Sequence, residues 1–187
     1  PTIGDVHLSL AEVPEGQTLV VTGSFTDPAQ GRDTYIVEIV WGDGTTSLST
    51  VTQLPQAGVP GSFRVSRLFD DDNPTGTPRD ERNFRIVLRD DDRGQRQSSK
   101  TVTLINRRPE ITSLTLDDPT IDEGGRTVLR GQFTDPGIHD SHTVRATWSS
   151  GSATGSVSFS VGSGSFEIPI ALDDDDPTDT DGDDVVI

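Results

Sequence analysis

The chain of 187 residues contains no cysteine and no methionine. Without cysteine there is no disulfide, no thiolate metal site and no cysteine nucleophile. Aromatic residues supply only 5% of the chain and apolar residues 30%. That is too lean for one thick core, whereas thin two-sheet domains need less. Bases are scarce too, 15 against 31 acids, for a net charge of −16. Phosphates would be repelled by such a surface, which argues against nucleic acid and leaves divalent cations or basic groups as partners. No apolar run approaches the roughly 18 residues of a membrane helix, so no membrane span is expected, and no secretory leader is visible. The missing methionine at position 1 reads as a processed product or a piece of a longer chain.

What the chain does have is internal repetition. Gly23-Ser-Phe-Thr-Asp-Pro28 returns as Gly131-Gln-Phe-Thr-Asp-Pro136, Trp41 as Trp148, and Gly61–Thr77 as Gly164–Thr180. The order is kept while the spacing shortens twice, as loop deletions would make it do. Between these marks lie short β-branched segments that mostly alternate apolar with polar: Thr18–Thr22, Thr34–Trp41, Ser62–Phe69, Asn83–Leu88 and Lys100–Ile105. Such alternation predicts strands with one buried and one wet face, and the regular turn residues between them predict sandwiches. No helical periodicity of useful length competes. The expected fold is all-β, two sandwiches in line. Residues 1–106 form the first, 107–109 a short linker that Pro109 biases toward extended backbone, and 110–187 the second.

Catalytic signals are weak. The three histidines are His7, His139 and His142. No nucleophile elbow, zinc-protease motif or phosphate loop is present. His142 stands where the first copy has Tyr35, so it is expected to pack as an aromatic would. Trp41 and Trp148 hold equivalent framework positions and are expected in cores rather than on a sugar-stacking face. Asp179-Thr-Asp-Gly182 looks like part of an EF-hand loop, but that pattern would begin at Pro177 and lacks its closing Glu. Asn73 is followed by Pro, so no N-glycosylation sequon exists there. Thr75, Thr77, Thr178 and Thr180 leave O-linked sugar open.

The segments "DTYIVEIVWGDGTT", "FRVSRLFDDD" and "FRIVLRDDDRG" with "TVTLINRRP" together resemble a PKD repeat, the immunoglobulin-like sandwich of bacterial and archaeal surface and secreted proteins. Trp41-Gly-Asp-Gly44 is the signature that carries the resemblance. The second copy, Trp148-Ser-Ser-Gly151, keeps the Trp and last Gly and loses the Asp. The resemblance implies an extracellular, non-enzymatic structural or adhesive module whose partners are neighbouring repeats or other copies of itself. The alternative is a carbohydrate- or protein-binding accessory module of a larger secreted enzyme. Val185-Val-Ile187 aligns with Ile86-Val-Leu88, so the second sandwich lacks its final strand within this chain. A strand from a neighbouring copy, or further chain, is expected to fill that place.

Acidic residues gather between the strands, and several carboxylates in one loop repel unless a cation joins them. Ca2+ takes six to eight oxygens from such loops and is the expected cofactor. In an immunoglobulin-like sandwich alternate loops share an end. That places Asp27, Asp33, Asp90 and Asp92 at one end of the first unit, and Glu15, Asp70, Asp71 and Asp72 at the other. The second unit repeats them as Asp135 with Asp140, and as Glu123 with Asp173, Asp174 and Asp175. Carboxylates flanking a short linker would let calcium stiffen the joint.

Overall fold

The computed structural model describes residues 1–72, 77–122, 124–148 and 151–172. The chain divides into two compact units, Pro1–Asn106 and Arg107–Ile187. Every element among the described residues is a strand, so no helix there is long and apolar enough to cross a membrane.

Unit 1 has two sheets. The first runs β1 (Thr2–Leu8), β3 (Gln17–Thr26), β7 (Gly61–Phe69), β6 (Thr50–Gln53). The second runs β2 (Glu12–Pro14), β9 (Gln95–Ile105), β8 (Arg79–Asp90), β4 (Tyr35–Val40), β5 (Thr46–Leu48). The period-2 alternation sends Leu19, Val21 and Phe25 inward from β3, and Phe63, Val65 and Phe69 from β7. They meet Val37 and Ile39 of β4, Trp41 beyond it, Phe84, Ile86 and Leu88 of β8, and Val102 and Leu104 of β9. Each such side chain contributes roughly 1.5–3 kcal/mol on burial.

The repeated Gly-x-Phe phrases have a packing reason. On β3 and β7, Gly23 faces Phe63 and Phe25 faces Gly61 across the antiparallel pair. In unit 2, Gly131 faces Phe166 and Phe133 faces Gly164. Each ring lies over the opposite glycine: a Cβ at Gly23 would stand 2.4 Å from Phe63 Cζ, and one at Gly131 2.2 Å from Phe166 Cζ. Cross-strand neighbours this close leave no room for a side chain.

Unit 2 repeats only part of this plan among the described residues. Its strands are β10 (Glu110–Leu116), β11 (Arg126–Thr134), β12 (Val144–Trp148), β13 (Gly151–Ser160) and β14 (Ser163–Ala171), in the order β10-β11-β14-β13-β12. The β10–β11 pairing copies β1–β3, including a break in register after Ile111 that matches the one after Ile3. Strand β13 pairs with β12 through its first half and with β14 through its second. In unit 1 that work is divided between β5 and β6. The core is smaller: Leu129, Phe133, Ala146, Phe166, Ile168 and Ile170, with Trp148 only partly buried against it.

Candidate functional site: acidic ends and an open groove

The turn from β2 into β3 is held at both edges. The Glu15 amide donates to the Ile105 carbonyl at 2.9 Å, and the Gly16 amide to the Phe69 carbonyl at 2.6 Å. Gly16 has φ of 74°, a left-handed conformation that favours glycine. Glu15 is thereby fixed beside the end of β7, where Asp71 and Asp72 follow. Carboxylate oxygens of these three lie within 4.8 Å of one another, and all three side chains are buried. Both Asp71 oxygens are buried without a hydrogen-bond partner. Asp70, the fourth residue expected here, is exposed and outside the group.

At the other end of unit 1, where β3 and β8 finish and β4 begins, Asp27, Asp33 and Asp90 converge within the same distance, and Asp33 also meets Asp91 and Asp92. Asp27 Oδ1 accepts the Ala29 amide at 2.8 Å, closing a turn over Pro28. Its Oδ2 lies 2.9 Å from the Pro1 ammonium, which is 3.9 Å from Asp90. Burial pushes the Asp27 carboxyl up, but hydrogen bonds from the ammonium and the Ala29 amide outweigh it and leave it below its ordinary value. Burial pushes Asp33 up, and the charges of Asp91, Asp92, Asp27 and Asp90 add to the shift.

In unit 2, Asp135 repeats the turn of Asp27: its Oδ1 accepts the Gly137 amide at 3.0 Å. Its Oδ2 meets not a metal-binding neighbour but His142 Nε2, at 2.8 Å. His142 packs against Phe133 at 4.8 Å between ring centroids, as Tyr35 packs against Phe25 at 5.0 Å, and against Phe159 at 4.3 Å. Asp140 closes a turn on Gly137; within unit 2 it joins Asp135 in no group of three acids among the described residues. Glu123, Asp173, Asp174 and Asp175 lie outside the described residues.

The Trp-Gly-Asp-Gly turn is built to hold a cation of the protein's own. Gly42 and Gly44 both have positive φ, and a Cβ at Gly42 would stand 2.3 Å from the Asn83 carbonyl oxygen. Between them, Asp43 Oδ1 accepts the Thr45 amide at 2.9 Å and hydroxyl at 2.6 Å, while Oδ2 takes Arg67. Trp41 is fully buried and donates its Nε1–H to Ser47 at 2.8 Å.

Unit 2 carries a groove of about 560 Å³ lined by Ile111, Leu114, Leu116, Val144, Phe166 and Ile168 among others. Its meaning comes from the repeat. Ile111, Leu114 and Leu116 face β11 as Ile3, Val6 and Leu8 face β3. In unit 1 those three pack against the core, Val6 being only 9% exposed. In unit 2, Ile111 and Leu114 are 55% and 53% exposed. Strand β9 packs beside the first set; among the described residues no counterpart covers the second. Among the described residues β12 is the last strand of its sheet, and its Val144, Ala146 and Thr147 line the same opening. From the alignment of Val185–Ile187 with β8, the sequence predicts that only the strand after it, the counterpart of β9, is missing; Val185–Ile187 lie outside the described residues. The groove itself and the His142–Asp135 pair were not foreseen.

No protein-family model matches the chain, and no curated protein matches it.

Proposed function

We propose that the chain is a non-catalytic structural or adhesive repeat module of an extracellular surface protein. Its immunoglobulin-like units, stiffened by calcium, build a rod or self-assembling filament. The observation that carries this reading is the open groove of unit 2. An apolar cleft beside a free strand edge is costly in water. A strand entering antiparallel along β12, with apolar residues at alternate positions, meets both needs at once: backbone hydrogen bonds for the edge, and side chains for the cleft. In unit 1 the strand so placed is β8, with Phe84, Ile86 and Leu88 inward; its counterpart in the repeat, Val185–Ile187, lies outside the described residues, and in this reading that segment is exchanged between copies. The donor in this reading is a second copy of the chain, so each junction buries the same kind of surface and assembly continues end to end.

The groove's apolar lining supports a binding rather than a catalytic role. The one histidine–carboxylate pair described here, His142 with Asp135, is buried and packed between Phe133 and Phe159, away from the groove. The accessory carbohydrate-binding alternative needs exposed aromatic platforms. Trp41 is fully buried and Trp148 partly so.

Sedimentation and electron microscopy of the purified chain test the reading. Regular polymers that dissociate in Leu114→Asp are the expected result. A monodisperse monomer at every accessible concentration would overturn it.

A further inference from the structure

The geometry points to one specific cation site in unit 1, a Ca2+ site formed by Glu15, Asp71 and Asp72. It rests on the calcium-stiffened part of the reading above and gives it one place in the fold. Two observations converge there. The three carboxylates reach within 4.8 Å of one another. Oxygens that share one calcium ion at 2.3–2.6 Å stand at most about 5 Å apart, so the set fits a single ion. Independently, Asp71 is 7% exposed and neither of its oxygens has a hydrogen-bond partner. A buried carboxylate in that state is costly unless it is paired or coordinates a metal.

The donor chemistry selects the ion. All three ligands are carboxylates, with no imidazole or thiolate among them, which suits a hard cation and disfavours zinc or copper. Two of the three sit in consecutive positions of a loop, where the adjustable geometry of calcium is easier to satisfy than the strict octahedron of magnesium.

The opposite end of unit 1 shows why proximity alone is insufficient. Asp27, Asp33 and Asp90 come equally close. There the Ala29 amide serves Asp27, and the Gly94 amide donates to Asp90 at 2.5 Å. Asp27 and Asp90 thus already have donors, whereas Asp71 has none.

The test uses the full chain, stripped with chelator and titrated with calcium chloride alone, followed by calorimetry and thermal unfolding. Wild type is expected to bind calcium and to gain about 10–20 °C in midpoint once calcium exceeds its Kd about a hundredfold. Asp71→Asn is expected to melt at or above wild type in chelator, because repulsion in the cluster is relieved, and to lose at least about tenfold in calcium affinity. Asp91→Asn, at the other end, is expected to keep the wild-type response. No calcium shift in wild type, or a full shift retained in Asp71→Asn, would overturn the site. So would an Asp71→Asn chain that melts below wild type in chelator. Sedimentation of the same samples separates the two proposals: polymers formed by a chain that shows no calcium binding or thermal shift would sink the site and leave assembly standing.

Discussion

Arg67 donates to Asp43 from directly above Trp41. Its guanidinium carbon lies 5.1 Å from the Trp41 ring centroid and 4.6 Å from that of Phe69, and both charged side chains are 21% exposed. One guanidinium therefore closes the lid of the core and locks the tight turn. Unit 2 has changed both ends of this contact together. Ile170 stands on β14 opposite Thr127, where Arg67 stands opposite Leu19, and the sequence Trp148-Ser-Ser-Gly151 has no Asp. Arg67→Ala is expected to lower unfolding stability by about 2–3 kcal/mol, combining a charge-assisted hydrogen bond with the ring contact. Arg67→Lys, which keeps the charge without the planar stack, should recover only part of it. Chemical denaturation of the two variants measures the difference.

Acid should weaken unit 1 through Asp43. Burial alone would raise this carboxyl, but the hydrogen bonds from Arg67 and Thr45 outweigh it and hold it well below the ordinary carboxylate range. Near pH 4 and below, the unfolded chain takes up a proton that the folded chain refuses. The stabilisation is thus complete above about pH 4 and is lost as the pH falls through that range toward the folded value. Asp43→Asn is expected to flatten the acid limb of a stability–pH curve.

Asp33 should behave in the opposite sense. Its carboxyl is raised by burial and by neighbouring acids, so its ionisation costs stability once the pH exceeds the folded value. Asp33→Asn is expected to raise the unfolding midpoint at pH 7. The gain should shrink as the pH falls to the ordinary carboxylate value, where wild type and variant become alike. Thermal melts across pH 3–8 check both variants.

The reciprocal glycine–phenylalanine pairs predict a matched pair of defects. Gly23→Ala and Gly131→Ala each drive a methyl group into a ring, Phe63 in one unit and Phe166 in the other. Overpacking of this kind costs about 1–3 kcal/mol. Relieving the ring as well, as in Gly131→Ala with Phe166→Leu, should restore part of the loss. Double-mutant cycles by urea denaturation measure that coupling.

The strands were legible in the sequence because alternation of apolar and polar residues is a direct imprint of a two-sided sheet, as in Leu19, Val21 and Phe25. The repeat was legible because turns and Gly-x-Phe pairs admit few substitutes. Strands β1, β2, β5 and β6 left weaker imprints: they are short or edge-bound, and few of their side chains reach the core. In unit 1 the acids expected at each end come together, Asp70 excepted, since strand order decides which loops share an end. Which carboxylate lacks a partner was not legible: Asp70, Asp71 and Asp72 are alike in sequence, and only the chain's path buries the last two. Nor did the sequence distinguish the fates of Asp27 and Asp135. The same Asp-Pro turn presents one oxygen in each unit, and what it meets, an ammonium or His142, depends on residues remote from the phrase.

Hydrogen exchange across Val144–Trp148, followed as a function of protein concentration, tests strand donation most directly. The β12 amides that do not pair with β13 should exchange slowly at high concentration and rapidly on dilution, and Leu114→Asp should abolish the slow phase. Exchange along β12 that stays the same at every concentration would contradict the account.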